Sequence, residues 1–211
     1  LLDQEFTVAV KTILESKGRV IITGIGKSAI IGNKIVATLN STGTPSIFMH
    51  AADAIHGDLG NIQENDVVVF ISKSGNTPEV KVLIPLIRKS SNKIIAITGN
   101  SDSYIGQNAD IVLNTFVEKE ACPNNLAPTT STTAQLVMGD ALAIALFITA
   151  SVLLAASHSI CICTMPPTTS LHSIFPHFSC FARAYFGSDS SDESIYFISY
   201  PRNSRCVRIL L

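Results

Sequence analysis

The 211-residue chain has little net charge, no basic surface pattern and no recognisable export signal. Its 15 Lys and Arg residues nearly balance its 16 Asp and Glu residues, which leaves a formal net charge of −1. The basic residues form no stripe and do not alternate with aromatic residues, which argues against nucleic acid as a partner. The first residues, LLDQEF, contain neither a basic segment nor a cleavage site, so we expect no secretory signal.

Cysteine is scarce where the sequence is most regular. Of the five cysteines only Cys122 lies outside the last quarter of the chain. This distribution argues against a disulfide framework and fits a reducing, cytoplasmic location. The spacing of His50 and His56 matches no metal-ligand pattern, so we expect no metal. The apolar run 141–156 is short for a membrane span and lacks flanking charge, so we expect no membrane partner.

Short apolar segments alternate with helical ones over the first two thirds of the chain. All-apolar strands of this kind are typical of a parallel sheet that is covered on both faces. We therefore predict an α/β fold: a doubly wound, flavodoxin-like three-layer α/β/α sandwich with a five-stranded parallel sheet. In such folds ligands bind outside the carboxyl ends of the strands. The predicted strands are residues 19–23, 46–49, 67–71, 93–98 and 111–114.

The character of the sequence changes near residue 147. Residues 133–147 have the composition of a last core helix, which would complete one domain over residues 1–147. Residues 148–211 are rich in Ser, Cys and aromatic residues and have no clear helical or strand period. We expect them to form an irregular, poorly ordered tail.

The stretch VVVFISKSGNTPEV, residues 67–80, reads as a buried strand, a short polar loop and a helix start. Thr77 stands at the N-cap position, and Pro78 follows at the first helical position. Backbone amides, the helix dipole and the hydroxyls of Ser72, Ser74 and Thr77 around Gly75 would suit an anion, most naturally a phosphate monoester. The alternative is a turn that merely requires small residues.

A second glycine turn, GIGKSA, follows the first predicted strand. It satisfies the dinucleotide pattern G-x-G-x-x-A, but the first acidic residue after the second strand is Asp53, beyond the expected place. A P-loop is excluded because Ile21 stands where that motif needs glycine. Lys27 in this turn is either a solvated lysine or a cation directed at substrate oxygen.

Three further side chains carry candidate chemistry on sequence grounds. His56, in the segment HGD, is either structural or a catalytic or substrate-contacting histidine. Glu79 and Glu120 are candidate acid–base carboxylates. Glu79 could instead complement the helix dipole, and Glu120 could be a surface charge.

Four segments follow one another in the order and spacing of a known family: GIGKSAIIGNKI, STGTPSIFMHAADAIHGDLG, ISKSGNTPEV and KEACPNNLAPTTSTTAQLVMGDALAIAL. Over about residues 15–147 the chain resembles the sugar isomerase (SIS) domain of D-arabinose-5-phosphate isomerases, the KdsD/KpsF/GutQ family. The resemblance implies interconversion of D-arabinose 5-phosphate and D-ribulose 5-phosphate through an enediolate, for Kdo, lipopolysaccharide or capsule biosynthesis. It also implies a phosphorylated sugar as substrate, no organic cofactor and a homo-oligomer, typically a tetramer.

The resemblance also implies roles for individual residues. Catalytic roles would fall to Lys27, Glu79, Glu120 and His56, and we favour Glu120 over Glu79 as the base. Ser131 and Thr132, which start the last predicted helix, would close the sugar pocket. The phosphate cradle would be formed by Ser28, Ser72, Lys73, Ser74, Gly75 and Thr77.

The chain departs from the family pattern in two places. The usual loop S-N-S-G-E-T reads SKSGNT here, and Lys73 is expected to add phosphate affinity. The family's His-Pro-Gly-Gly segment, whose histidine is an active-site residue, and the CBS domains that often follow it do not occur in this sequence. A non-catalytic phosphosugar-binding SIS module therefore stands as the alternative to an isomerase.

Overall fold

The computed structural model describes residues 3–164, 195–199 and 206–210 of the chain. The chain divides into two compact units, Leu1–Ser157 and His158–Leu211. The first unit holds the whole parallel sheet and both of its helical layers. The described strands of the second unit, β6 (Ile195–Ser199) and β7 (Cys206–Leu210), pair antiparallel with each other.

The first unit alternates strands with helices, as the hydrophobic pattern predicts. All five predicted strands are confirmed to within one residue at each end. The strands are β1 (Val20–Gly24), β2 (Ser46–His50), β3 (Val67–Ser72), β4 (Lys93–Thr98) and β5 (Ile111–Asn114). The helices are α1 (Gln4–Glu15), α2 (Lys27–Ser41), α3 (Ala51–Ile55), α4 (Pro78–Lys89), α5 (Tyr104–Asn108) and α6 (Thr130–Thr164).

The five strands of the first unit form one parallel sheet in the order β2-β1-β3-β4-β5. This confirms the predicted doubly wound α/β fold. The chain runs outward from β1 to β2 and then returns to place β3 on the other side of β1. In open α/β sheets such a switch in strand order leaves a crevice at the carboxyl edge, between the loops that follow the two central strands.

Alternate residues of each strand belong to two separate hydrophobic cores, one on each face of the sheet. Along β3, Val67, Val69 and Ile71 face one core, whereas Val68 and Phe70 face the other. Each fully buried aliphatic side chain contributes about 1.5–3 kcal/mol to folding. The first core packs α1, α2 and α6 against the sheet, and the second packs α3, α4 and α5, which completes the three layers.

Residues 50–60, which join β2 to the segment before β3, contain α3 and a 3-10 helix, Asp58–Asn61. The segment is too short and polar to show a helical period. Ala51 and Ala54 are completely buried in the core that also contains α4. Tertiary packing, which the local sequence does not reveal, therefore sets the helical conformation here.

Helix α6 is longer than the last core helix predicted for residues 133–147, because it continues to Thr164. No Gly or Pro interrupts the sequence between Gly139 and Pro166, and a helix commonly ends before the residue that precedes a proline. The helix and strands β6 and β7 thus differ from the irregular tail expected from residue 148. The remaining positions of that tail lie outside the described residues.

Helix α6 is the one described helix that is long and apolar enough to cross a membrane, over Thr130–Leu153. One face of it lies in the core of the first unit, through Met138, Leu142, Ala143 and Leu146. A core helix that packs against a sheet can be as long and as apolar as a helix that crosses a membrane. This packing accounts for the buried apolar side chains in the first half of α6.

Asp66 joins the start of β1 to the turn that precedes β3. Its carboxylate is 2% exposed and accepts from the Arg19 amide at 2.7 Å, from Arg19 Nη2 at 3.0 Å and from the Gln63 amide at 2.9 Å. Burial alone would raise the pKa of Asp66, but the side-chain and backbone hydrogen bonds from Arg19 and the amide of Gln63 outweigh it, and the pKa is lowered.

We predict that Asp66→Asn lowers the free energy of unfolding at pH 7 by about 2–4 kcal/mol, because a buried ion pair and its charge-assisted bonds are lost. A lowered pKa in the folded state means that this stability is present above the unfolded pKa and is lost as pH falls through the folded one. The unfolding free energies of variant and wild type, measured with urea, should therefore begin to converge below about pH 4 and become equal only below the lowered pKa of folded Asp66. Glu15→Gln, which removes the exposed partner of Lys11, is the matched control and should change stability little. A constant difference across the acid range would contradict the ionic role of Asp66.

Candidate functional site

The loops after β1 and β3 border the crevice at the strand switch point. The backbone after β1 approaches its neighbours closely, since a Cβ on Gly24 would lie 3.1 Å from the Ile71 carbonyl oxygen. Gly26 follows with a φ of 59°, and α2 begins at Lys27. The first loop is therefore held tightly against the end of β3.

The loop after β3, residues 72–77 and hereafter the SKSGNT loop, is shaped by its own hydroxyls. The hydroxyls of Ser72 and Thr77 lie 3.0 Å apart in a mutual hydrogen bond, and the Gly75 amide donates to Ser72 Oγ at 3.1 Å. The Asn76 amide donates to Ser74 Oγ at 3.3 Å. Two of the four hydroxyls predicted for the phosphate cradle, those of Ser72 and Thr77, thus stabilise the loop itself.

Only glycine fits at position 75. Its φ is 63°, and a Cβ there would collide with the Ser103 side chain. The Gly75 carbonyl also accepts from the Ile105 amide at 3.0 Å. The start of α5 therefore packs directly against the loop. This close contact is possible only because position 75 has no side chain.

The first turn of α4 offers free amides to a ligand. Thr77 occupies the predicted N-cap position, but its hydroxyl is bonded to Ser72, and no side chain caps the helix. The backbone amides of Ser74 and Thr77 also have no hydrogen-bond acceptor among the described residues. Free amides and the positive end of a helix dipole are the features that bind anions in other proteins, so this turn is a candidate anion site.

Glu120 is almost completely buried, with 4% of its surface exposed, and is surrounded by hydrogen-bond donors. Its Oε1 accepts from Lys73 Nζ and from Ser131 Oγ, each at 2.5 Å. Its Oε2 accepts from the amides of Thr129 at 2.8 Å and Ser131 at 3.1 Å, and from Thr129 Oγ1 at 3.3 Å. Five donors therefore meet a group that offers about four acceptor sites.

These bonds determine the charge of Glu120. Burial alone would raise its pKa, but the bonds from Lys73, Ser131 and Thr129 outweigh it and hold the pKa far below the usual range. A carboxylate with so low a pKa and no free lone pair is a poor proton acceptor. The preference for Glu120 as the base, drawn from the sequence, therefore finds no support in its surroundings.

Lys73 lies in the SKSGNT loop but pairs with Glu120. Its side chain is 45% exposed, and the ammonium group contacts the carboxylate at 2.5 Å. The backbone carbonyl of Lys73 accepts from the Gly99 amide at 3.1 Å. Lys73 is expected from the sequence to add phosphate affinity, but in the structure its ammonium group already binds Glu120.

The two residues expected to close the sugar pocket use their hydroxyls within the protein. Ser131 is 2% exposed and donates to Glu120, and Thr132 Oγ1 donates to the Thr129 carbonyl at 2.8 Å. Ser28 Oγ lies 3.3 Å from Gln135 Oε1. Sequence reasoning missed Gln135, although a polar residue four positions after Ser131 on an apolar helix could have signalled it.

Lys27, His56 and Glu79 lie in the loops or first turns at the carboxyl edge of the sheet. Lys27 and His56 are exposed, and Glu79 is half-buried in the first turn of α4. None of the three side chains bonds to another residue in the part of the chain that the structure describes. No group of three or more His, Cys, Asp or Glu among those residues is placed to hold a metal.

The protein-family model that matches this chain is the SIS domain, over residues 13–145. The chain belongs to the SIS domain family. Arabinose 5-phosphate isomerase KdsD of Francisella tularensis is 54% identical over 148 residues, which are 69% of this chain and 45% of that protein. Arabinose 5-phosphate isomerase KpsF of Escherichia coli O6:H1 is 54% identical over 134 residues, 64% of this chain and 41% of that protein.

A solved structure of an Escherichia coli CFT073 protein in complex with arabinose 5-phosphate matches with a TM-score of 0.68 and 41% identity, covering 70% of this chain and 78% of that one. These matches confirm the resemblance that the motifs indicate. This SIS chain spans less than half the length of the two curated relatives.

We predict that Gly75→Ala distorts the SKSGNT loop, because the new side chain meets both a left-handed backbone and Ser103. The free energy of unfolding should fall by about 1–3 kcal/mol. Gly60→Ala is the control, since position 60 has an ordinary φ and open space around it. Thermal unfolding of the two variants compares the effects, and equal stability would contradict the packing described for Gly75.

Proposed function

We propose that this SIS domain isomerises D-arabinose 5-phosphate and D-ribulose 5-phosphate. The observation that carries the proposal is the uncapped first turn of α4 beside the SKSGNT loop, which offers amides to a phosphate monoester. The relatives named above as arabinose 5-phosphate isomerases, and the related structure in complex with arabinose 5-phosphate, support this choice of phosphosugar.

In the reaction that we propose, a proton moves between C1 and C2 of the open-chain sugar through an enediolate. This chemistry requires a base and a positive group near the developing oxyanion. We assign the base to Glu79, since its carboxylate, unlike that of Glu120, has no protein donor among the described residues. Lys27 would stabilise the oxyanion, and His56 would assist ring opening or polarise the carbonyl.

The test is turnover of D-arabinose 5-phosphate by the purified chain, measured as ribulose 5-phosphate formed. We expect Glu79→Gln to lower kcat by about 10²–10⁴-fold with little change in KM, because an amide cannot accept the proton. Glu118→Gln, at an exposed position near Glu120, is the matched control. An unchanged kcat in Glu79→Gln would remove the proposed base. Saturable, phosphate-dependent binding by the wild-type chain without turnover would support a non-catalytic binding module instead.

We further propose that the domain works as a homo-oligomer in the cytoplasm, a tetramer by family resemblance, and supplies Kdo biosynthesis for lipopolysaccharide or capsule. An apolar stripe on α6 supports self-association. Val137, Ile144, Ile148 and Val152 are all exposed and recur on one side of the helix. A stripe of this length on a helix is typical of an interaction surface.

Light scattering coupled to size-exclusion chromatography tests the oligomer. The wild-type chain should have a mass several times its monomer mass of 22.5 kDa. Ile144→Lys together with Ile148→Lys should lower that mass, because two charges would be buried without partners. A monomeric wild-type chain would contradict the proposal, and so would an unchanged assembly in the double variant.

A further inference from the structure

A single ion pair connects two segments that are far apart in the sequence. Lys73 belongs to the SKSGNT loop, and Glu120 lies 47 positions later, in the loop that leads to α6. Their contact at 2.5 Å is partly shielded from water, since the carboxylate is buried. The family's usual loop has asparagine where this chain has Lys73, so the sequence alone does not predict such an ion pair.

Glu120 extends this link to the start of α6. Its second oxygen accepts from the Thr129 and Ser131 amides, the first of which lies just before the helix and the second in its first turn. One turn further along, Gln135 approaches Ser28, in the first turn of α2, at 3.3 Å. A continuous set of bonds thus runs from the SKSGNT loop to α6 and on to the loop after β1.

The burial of Glu120 makes the pairing asymmetric. Without Lys73, the buried carboxylate would keep only neutral donors, whereas the half-exposed Lys73 side chain without its partner would be solvated by water. The ammonium has three N–H donors, of which Glu120 takes one, so any contact with phosphate would be made by an ammonium that Glu120 still holds. The geometry therefore favours retention of the ion pair while the amides of the loop and of α4 hold the anion.

We propose that Lys73 is a positioning residue: by its ion pair with Glu120 it fixes the SKSGNT loop against the start of α6, so that the loop amides face the anion. The proposal rests on phosphate binding at this loop. It also gives Glu120 a defined task, which is to anchor the loop and the helix rather than to transfer a proton. The ordering of the loop requires both partners.

The experiment compares four variants of the full chain: Lys73→Met, Glu120→Gln, their combination, and Lys73→Arg. Affinity for inorganic phosphate and for D-arabinose 5-phosphate is measured by calorimetry. Each single change should weaken binding about tenfold, the loss expected for one charge-assisted bond. The double variant should bind no more weakly than the weaker-binding single variant, since the two substitutions remove the same contact. Lys73→Arg should restore binding, and Lys89→Met, at the end of α4, is the control.

The main competing role, direct contact between Lys73 and phosphate, predicts a different pattern. Glu120→Gln would then release the ammonium and leave phosphate affinity unchanged or increased, while Lys73→Met would weaken it. That result would overturn the proposal. Unchanged binding in both single variants would also overturn it.

Amide hydrogen exchange in the unliganded chain separates failure of this proposal from failure of the proposed function. Lys73→Met and Glu120→Gln should each speed exchange of the Gly75 and Asn76 amides, which are bonded within the loop, about tenfold, while the core strands β3 and β4 keep their protection and report an intact fold. Equal loop protection in wild type and both variants would overturn the positioning role, whether or not phosphate binds. If the wild-type chain does not bind phosphate but the two variants show this loosening, the anion site is contradicted and the link between loop and helix is supported.

Discussion

The buried carboxylate of Glu120 is the interaction on which the described site depends. Burial of an ion is costly unless partners replace the water, and five donors from Lys73, Thr129 and Ser131 surround this one. The donors come from two loops and the beginning of a long helix. Each of these segments is thereby held at the same edge of the sheet. A carboxylate that the sequence suggests as a catalytic base therefore has its oxygens occupied by protein donors.

The strand order explains why the candidate anion site lies at this edge. Because β3 returns beside β1, the loops after these strands face one crevice, and α4 directs its first turn toward it. In the SKSGNT loop the hydroxyls of Ser72 and Thr77 bond to each other, which leaves the helix without a cap. The atoms that would meet a phosphate are therefore chiefly backbone amides, and the hydroxyls set their geometry.

The catalytic assignment follows from which charged side chains the protein itself leaves free. Glu79, Lys27 and His56 make no side-chain bond within the described segments, whereas Glu120 and Lys73 are engaged with each other. Groups that must exchange protons with a substrate need unoccupied lone pairs or donors. Under the proposed function, the chemistry on the substrate would fall to the first three residues and the organisation of the loops to the other two.

Much of the architecture could be read from the sequence. The all-apolar runs of β1, β3 and β4 are compatible with little other than a buried parallel sheet, and the segment SKSGNTPE encodes a loop followed by a helix start. Composition could not indicate α3, since Ala51 and Ala54 become helical only by packing in the core that also contains the buried residues of α4. Likewise, the partner of Lys73 lies 47 positions away, and local patterns carry no information at that distance. The sequence by itself determined the fold, the family and the residue types of the site. The tertiary structure alone decided which carboxylate is neutralised by protein donors, because that choice depends on burial and on contacts between distant segments.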